Sequence, residues 1–523
     1  MTGERQARWT LSKVVIATML VLAVGAFGKA QAPSALQTLR NPDPKDWLTY
    51  GGTYSSQRYS TLKQITPANA ARLQAKWVYH VDGAHGLQPT PIVMNGAMYI
   101  SMFNRVDALD ARSGNIIWKH QRQPASASAQ RGTALFGNYV YMITSDSHIV
   151  ALDCRTGSVR WDVKGDGGYT IAGGAPIVAD GKLIVTGNRP GGFIQAYDAE
   201  TGRHLWTWST LPKPGDPAYD TWGGSNPAGA PIWVTGSFDP DLNLLYYGTG
   251  QPNPQWTGFE RAGDNLYSDS IVALDVKTGT LAWYFQNTPH DVHDWDSLET
   301  PVLVDAAFRG QPRKLLLQAN RNGFYYVLDR TNGEFLLGLP FVDRLDWATG
   351  LDKKGRPIVA PGHDPSVNGS TTCPSTAGAT NWPAPTYNPD THYFYVQVTE
   401  GCGVNVITST TADAGTGYYE TPTAPWQLYV RAIDAFTGKR VWEYKEVRSN
   451  HYGPGLLSTA GGIVFAPEQF GQVTVLDART GQSLWHFNTG DLITASPITY
   501  SVDGQQYFAI ASGTNVFAFA LTE

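Results

Sequence analysis

The stretch from residue 288 to residue 296 holds the densest group of chemically active side chains in this sequence. Asp294 and Asp296 are two residues apart, so in an extended segment both carboxylates would point the same way. Two carboxylates held close together need a cation between them, or one of them must be protonated. A hard metal ion with oxygen ligands would satisfy both. The full stretch reads Thr288-Pro289-His290-Asp291-Val292-His293-Asp294-Trp295-Asp296.

Plainer interpretations of the same stretch remain open at this point. It could be a polar loop tip with no chemical role. His290 and His293 could instead bind zinc, although a histidine held by hydrogen bonds within the fold is the more common case.

A repeated phrase indicates which elements position this stretch. The phrase is Ala-x-Asp-x-x-Thr-Gly-x-x-x-Trp, and a worn copy without the Trp spans residues 327–333. The spacing is 43 or 45 residues from Trp118 to Trp161, from Trp161 to Trp206 and from Trp442 to Trp485, and with four strands per unit it indicates a β-propeller blade; the 77 residues from Trp206 to Trp283 indicate a blade with an insertion. Between Gly333 and Gly438 there is room for one blade and a long loop, or for nearly two blades. The clean copies end at Trp118, Trp161, Trp206, Trp283, Trp442 and Trp485.

Each phrase predicts a hairpin with an Asp–Thr–Gly turn, because these residues bond to nearby backbone or accept a positive φ. Residues 73–79 predict the outer strand of a blade whose inner strands, including 506–511, come from the C-terminus. Seven phrases and this closing blade predict an all-β fold, an eight-bladed β-propeller with tryptophan-docking repeats. Its ring is closed by N- and C-terminal strands, which removes free sheet edges. We expect one domain over residues 33–523.

The composition agrees with such a fold and argues against one class of partner. The chain has 523 residues, of which 12% are aromatic and 55 are glycine, as in an all-β protein with many turns. The net charge of −5 is mild, and no basic stripe is present, so we expect no nucleic-acid partner.

The first 32 residues predict a secretory signal peptide. Arg5, Arg8 and Lys13 precede an apolar run at 14–27, and an Ala-x-Ala cleavage site follows at 30–32. A run of this length is short for a membrane helix, which needs about 20 residues. An uncleaved anchor is the alternative. Cleavage would leave a protein without a stable membrane span, in a bacterial periplasm.

Three cysteines allow one disulfide and leave one thiol over in an oxidising compartment. We pair Cys373 with Cys402, which both lie in the long insertion. Cys154 lies inside a repeated phrase and is expected to be a buried free thiol. No Cys-x-x-Cys-His occurs, so we expect no covalently attached c-type haem and an external electron acceptor.

Several ordered motifs resemble the signatures of the pyrroloquinoline quinone (PQQ)-dependent alcohol dehydrogenase family, of the quinoprotein methanol and ethanol dehydrogenase type. The resemblance runs from about Asp46 to the C-terminus. It implies an eight-bladed propeller that holds PQQ and a metal ion on its axis, oxidises an alcohol in the periplasm, and passes electrons to a cytochrome c or a membrane quinone. The motifs begin at Asp46-Trp47-Leu48, Gln57-Arg58-Tyr59, Gly248-Thr249-Gly250, Arg261-Ala262-Gly263, Thr288-Pro289-His290 and Asn320-Arg321-Asn322.

The resemblance also implies roles for single residues. Asp294 matches the general base, and Arg321 matches the arginine that bonds the quinone oxygen. Asp296 matches the extra carboxylate of the lanthanide-using branch, and Trp233 matches the tryptophan that lies flat against the cofactor. Further cofactor contacts are implied for Gln88, Arg131, Thr144, Asn381 and Tyr452, and Cys373 and Cys402 match a family disulfide.

The departures from the family pattern fall on the metal shell. The stretch 186–192 contains no acid where relatives have a Glu ligand, and Gln251 stands where they have Asn. In one interpretation Asp294 and Asp296 supply the anionic ligands for Ca²⁺ or a lanthanide ion, and Gln251 and Asn188 supply neutral oxygens. In the other, metal binding is weakened and the protein is a divergent or inactive member.

Two further functions compete with alcohol oxidation. One is a quinoprotein dehydrogenase for a sugar or polyol. The other is a non-enzymatic propeller scaffold of the outer-membrane assembly type, which shares only the repeated phrase and has no need of Asp294, Arg321 and Trp233 together.

Overall fold

The computed structural model describes residues 34–124, 130–171, 173–413, 416–447 and 453–522. The predicted signal peptide, residues 1–32, lies outside the described residues. The described part is mostly β-structure, with one short α-helix, α1 (Ala35–Arg40), whose first turn is capped by the Ser34 hydroxyl. No helix in these ranges is long and apolar enough to cross a membrane.

Most strands form antiparallel sheets in which consecutive strands are neighbours. After β1 (Tyr59–Ser60) and β2 (Leu73–His80), three such sheets follow in order along the chain. The first contains β3 (Ile92–Met94), β4 (Ala97–Met102), β5 (Arg105–Asp110) and β6 (Ile116–Gln121). The second contains β7 (Ala134–Phe136), β8 (Tyr139–Ile143), β9 (His148–Asp153) and β10 (Val159–Lys164). The third contains β11 (Thr170–Ile171), β12 (Ile177–Ala179), β13 (Lys182–Arg189), β14 (Phe193–Asp198) and β15 (His204–Ser209).

Two more four-stranded sheets lead into the long insertion, which has its own small strands. The sheets contain β16 (Ser237–Asp239), β17 (Leu244–Gly248), β18 (Ser270–Asp275) and β19 (Leu281–Gln286); and β20 (Val302–Phe308), β21 (Gln311–Ala319), β22 (Phe324–Asp329) and β23 (Glu334–Pro340). The insertion begins with a hairpin of β24 (Ala348–Leu351) and β25 (Pro357–Val359), followed by β26 (Ser370–Thr372).

The region between Gly333 and Gly438 therefore holds one main sheet and an insertion, rather than nearly two blades. The small strand β26 pairs with a hairpin that projects from the middle of the main sheet. The strands are β27 (Thr386–Asn388), β28 (Tyr393–Glu400), β29 (Gly403–Ile407), β30 (Tyr418–Pro422), β31 (Gln427–Asp434) and β32 (Arg440–Lys445).

The last two sheets join the ends of the chain. In the final sheet β2 pairs antiparallel with β39, so an N-terminal strand completes a sheet of C-terminal strands, as predicted from residues 73–79. In the sheet before it, β1 pairs parallel with β33. The strands are β33 (Leu457–Thr459), β34 (Ile463–Pro467), β35 (Gln472–Asp477) and β36 (Ser483–Asn488), then β37 (Ile498–Val502), β38 (Gln505–Ser512) and β39 (Asn515–Leu521).

The repeated phrase joins neighbouring sheets through its Trp and Gly. Trp118 donates its indole N–H to the carbonyl oxygen of Cys154 at 3.0 Å, and its ring lies against Gly157 in the turn of the next sheet. In that turn, Asp153 accepts the backbone N–H of Thr156, as the sequence predicted. The same contact recurs between Trp77 and Gly114, Trp161 and Gly202, Trp206 and Gly279, Trp283 and Gly333, and Trp442 and Gly481.

The cysteine predictions are confirmed. Cys373 and Cys402 form a disulfide, and Cys154 is a buried free thiol. The disulfide joins Cys373, directly after Ser370–Thr372, to Cys402, directly before Gly403–Ile407.

Candidate active site

A single cavity of about 440 Å³ collects eight of the predicted site residues. Of the remaining two, Tyr452 lies outside the described residues. Thr144 is not among the lining residues, and its hydroxyl bonds to Asp146 and His148 within its own turn. The lining consists of Gln88, Arg131, Asn188, Pro231, Trp233, Gln251, Asp294, Asp296, Arg321, Asn381 and Trp382.

The two carboxylates reach the cavity through a turn and not through an extended strand. Asp294 has a φ of +61°, which lies in the left-handed region that non-glycine residues seldom adopt. Between the two acids, Trp295 is fully buried and donates its indole N–H to Ser375 O at 3.0 Å. The Asp291 carboxylate caps the turn, because it accepts the backbone N–H groups of His293 and Trp295. This anchoring leaves Asp294 and Asp296 on the cavity side.

Arg321 connects the two acids. Its Nη2 lies 3.2 Å from Asp294 Oδ2 and its Nη1 lies 3.1 Å from Asp296 Oδ2, and Nη2 also donates to Thr376 O at 2.7 Å. Burial raises the pKa of both carboxyls, and the Arg321 guanidinium opposes that rise. The site can therefore hold an acid–base group whose charge depends on what else binds there.

Two tryptophans form the flat walls of the cavity. The Arg131 guanidinium lies 4.7 Å from the centre of the Trp233 ring and 4.2 Å from that of Trp382. Such a group of aromatic faces and a guanidinium suits a planar, anionic ligand. Trp382 was missed as a site residue. Its position directly after Asn381 was the available signal, but a lone Trp is indistinguishable from a core residue in sequence.

The oxygen ligands needed by a hard cation are present, although they carry less charge than the family pattern. Asp296 Oδ1 accepts the Gln251 backbone N–H at 2.8 Å, which places Gln251 beside the acid pair. Asn188 and Gln251 both line the cavity and can supply neutral amide oxygens. Within the described ranges, no three His, Cys, Asp or Glu side chains form a metal-binding group. The residues fit a cation with two anionic and two neutral ligands.

The two histidines of the stretch are held by the fold. The His290 ring nitrogen Nδ1 lies 2.8 Å from Gly263 O, and the His293 Nε2 lies 3.1 Å from His363 O. One ring nitrogen of each histidine thus faces a backbone carbonyl, which supports a structural role for these histidines over a zinc site. His293 also stacks on Trp295, with ring centres 4.3 Å apart.

Comparison with known families gives two matches. The model for the β-propeller domain of glucose/ethanol/alcohol dehydrogenases matches residues 47–136 and 164–341. A model for the outer membrane protein assembly factor BamB matches residues 102–222 and 427–522. Only the first match includes Asp294, Asp296 and Arg321.

Individual proteins are similar along nearly the whole chain. The quinoprotein alcohol dehydrogenase PedH of Pseudomonas putida is 36% identical, over 98% of this chain and 92% of that protein. The crystal structure of a quinohemoprotein alcohol dehydrogenase from Comamonas testosteroni superposes with a TM-score of 0.84 and 31% identity, covering 93% of this chain and 83% of that chain. A europium-containing methanol dehydrogenase gives a TM-score of 0.81 and 28% identity, covering 93% of this chain and 100% of that chain.

Proposed function

The chain belongs to the PQQ-dependent quinoprotein alcohol dehydrogenases, and on that premise we propose that it oxidises an alcohol to an aldehyde or ketone in the periplasm. The observation that carries this proposal is the single cavity lined by Asp294, Asp296, Arg321, Trp233 and Arg131. A base, a quinone-binding arginine and an aromatic floor meet there. A scaffold needs none of these groups in one place.

The cofactor, the ion and the residues that line the cavity have different roles in the proposed reaction. Once bound, PQQ supplies the hydride acceptor and the metal ion supplies a Lewis acid. Asp294 takes the proton of the substrate hydroxyl, a contribution of about 10²–10⁴-fold for a well-placed base. Arg321 holds Asp294 in place and puts positive charge where negative charge develops. Trp233 supports the planar ring, and Arg131 offers paired N–H donors to carboxylates.

Asp294, Asp296 and Gln251 would hold the ion, Ca²⁺ or a lanthanide, with Asn188 as a further neutral ligand. We propose cofactor contacts for Gln88 and Asn381, which line the cavity, and for Tyr452. Thr144 is not included, because its hydroxyl is bonded within its own turn. Each alcohol oxidised yields two electrons and two protons. The electrons leave to an external acceptor, a cytochrome c or a quinone.

We further propose that the eight main sheets are the blades of one propeller domain spanning residues 33–523. The pairing of β2 with β39 supports ring closure, because it joins the two ends of the chain in one sheet. Residues 1–32 would be removed as the signal peptide on export.

Reconstitution tests the activity. The folded full-length chain is loaded with PQQ and either Ca²⁺ or a light lanthanide, and dye-linked oxidation is measured with primary alcohols and with aldoses. Turnover of alcohols is expected with at least one ion, and the same protein without quinone is the control. Preferential turnover of aldoses would favour the sugar dehydrogenase. A folded protein that binds no quinone chromophore and oxidises neither class would contradict the enzyme and favour the scaffold.

A further inference from the structure

A layer of small residues lies where the innermost strands of the sheets begin. In each of the eight main sheets, one residue lies two positions before an innermost strand, is buried, and is Gly, Ala, Ser or Thr; the strands are β3, β7, β12, β16, β20, β27, β33 and β37. Neighbouring members touch: Thr235 donates to Ala175 O at 2.8 Å, and Thr300 donates to Thr235 O at 3.0 Å. We call these residues the hub layer. They are Thr90, Gly132, Ala175, Thr235, Thr300, Ala384, Gly455 and Ser496.

Tyr50 packs against two members of the hub layer. Its ring packs in one buried cluster with Ala175 and Ala384, which belong to sheets that are not neighbours. Arg58 fixes the Tyr50 backbone, because its guanidinium bonds to the carbonyl oxygens of Tyr50 and Leu456. The Tyr50 hydroxyl is nevertheless buried with no hydrogen-bond partner among the described residues.

Glu299 lies close enough to the cavity residues Arg321 and Asp296 to interact with both electrostatically. It precedes the hub residue Thr300 by one position, as the cavity residue Arg131 precedes Gly132. Glu299 is 3% exposed; the backbone N–H groups of Glu299 and Arg321 lie near its carboxyl, but neither carboxyl oxygen forms a hydrogen bond of ordinary geometry in the ranges that the structure describes. The same holds for Arg321 Nε, the one guanidinium nitrogen of Arg321 that no acid or carbonyl contacts.

Glu299 can both donate and accept a hydrogen bond at neutral pH. Burial raises the pKa of its carboxyl to about 8, nearby Arg321 opposes the rise, and the Asp296 carboxylate adds to it. A neutral carboxyl offers one O–H donor and retains acceptor capacity. Glu299 therefore suits a position between the donor Arg321 Nε and the polar groups of the hub layer.

Further unpartnered polar groups belong to the hub layer itself. Besides Glu299, Arg321 Nε and the Tyr50 hydroxyl, the hydroxyls of Thr90 and Ser496 in the hub layer are buried without partners among the described residues. Buried polar groups are almost always bonded to protein or to ordered water. A buried water needs two to four such partners and room, and small side chains leave that room.

We propose that a file of ordered water molecules fills the hub between Glu299 and Tyr50. Through the water nearest to it, Glu299 would accept the hydrogen bond of Arg321 Nε and so position the guanidinium. The inference rests on the proposed role of Arg321 in the reaction. Asp294 and Asp296 hold the two outer nitrogens of the guanidinium, and the water held by Glu299 holds Nε. The plane of the guanidinium is thereby fixed from three sides.

Two substitutions at Glu299 separate this role from simple packing. Glu299→Leu keeps the volume and removes both polar oxygens, so kcat is expected to fall roughly 10- to 100-fold with little change in KM, since Arg321 loses its orientation. Glu299→Gln keeps a donor and an acceptor and should restore kcat to within about threefold of wild type. An unchanged kcat in Glu299→Leu, or a Gln variant as impaired as the Leu variant, would overturn the proposal.

Thr300→Val is the matched control. The Thr300 hydroxyl lies next to Glu299 but donates to Thr235 O, so it has no place in the water file. This variant removes a buried hydroxyl from the same layer and should retain the wild-type kcat. A loss equal to that of Glu299→Leu would assign the effect to hub packing and overturn the proposal.

A crystal structure of the full chain, solved with and without PQQ, tests the water file even if Glu299→Leu does not fold. Ordered water is expected within hydrogen-bond distance of Glu299, Arg321 Nε and the Tyr50 hydroxyl. Tyr50→Phe should lose only the water nearest the ring. A dry hub, or a direct bond from Glu299 to Nε, would overturn the inference. An inactive wild-type protein with a hydrated hub would instead contradict the proposed function.

Discussion

Asp294 has a strained backbone, a buried carboxyl and an ion pair with Arg321. Its left-handed backbone, its raised carboxyl pKa and its contact with Arg321 occur together at the wall of the cavity. Strained backbone tends to persist where the surroundings enforce it, often at functional sites. Here Trp295 and the Asp291 cap supply that enforcement.

Asp294→Asn should abolish turnover and leave quinone bound. The amide cannot take a proton, but it keeps the shape and one acceptor for Arg321, so a loss of about 10²–10⁴-fold in kcat is expected. Dye-linked assays and the quinone absorbance of the same sample measure the two effects.

Asp264→Asn is the control for that variant. Asp264 pairs with Arg356 on the surface, and exposed pairs contribute only about 0–1 kcal/mol. It should behave as wild type. Full turnover in Asp294→Asn would remove Asp294 from the role of base.

Asp296→Ala should lower metal affinity before it affects anything else. The substitution removes one of two anionic oxygen ligands and also frees Arg321 Nη1. Titration of activity against Ca²⁺ or a lanthanide should show half-saturation at a higher ion concentration. An unchanged metal dependence would contradict the ligand role.

For single residues, the sequence predicts which side chains line the site better than it predicts their backbone conformation. Asp294 and Arg321, which line the cavity, were identified because they lie in ordered motifs, whereas Trp233 was matched only through the family resemblance. The expectation of an extended segment was wrong at Asp294, since its turn depends on Trp295 and Asp291 packing against distant residues. Glu299 was not found, because no motif distinguishes a buried acid at a strand entry from a surface one.

The elements are joined by tryptophans that pack on glycines of the next sheet. This contact explains why the phrase ends in Trp and why its turn contains Gly. Where the worn copy lacks Trp, Leu337 and Leu339 lie against Gly438 instead. The repeat could be predicted because each copy is local in sequence. The insertion around Cys373 could not, since its small strands pair only after the main sheet forms.

Gly157→Ala should destabilise the protein more than Gly181→Ala. Both glycines have a positive φ near +70°, so both substitutions carry a similar backbone cost of about 1–2 kcal/mol. A Cβ at Gly157 would also lie 2.6 Å from the Trp118 ring, whereas Gly181 faces open space. Chemical denaturation of the pair measures the difference. Equal midpoints would show that the Trp contact contributes nothing to stability.

At the scale of the whole molecule, the first and last strands share one sheet. β2 contributes an outer strand to β37–β39, and its Trp77 packs on Gly114 of the first complete sheet. The all-β class and this pairing could be predicted from the alternating pattern at both ends. The position of Tyr50 across the hub could not, because it depends on contacts with sheets far apart in sequence.

Deletion of β39 (Asn515–Leu521) should prevent cooperative folding. The deletion leaves β2 without a partner and exposes two strand edges, which favours aggregation. Soluble yield and thermal unfolding of the truncated chain measure this. A truncated chain that unfolds cooperatively at the wild-type Tm would show that the joining of the ends is dispensable.

The most direct test of the central claim is a crystal structure of the protein loaded with PQQ and its ion. We expect the quinone to occupy the 440 Å³ cavity with its ring against Trp233, and the ion to contact oxygens of Asp294 and Asp296. A quinone bound elsewhere, or an ion that contacts neither carboxylate, would contradict it.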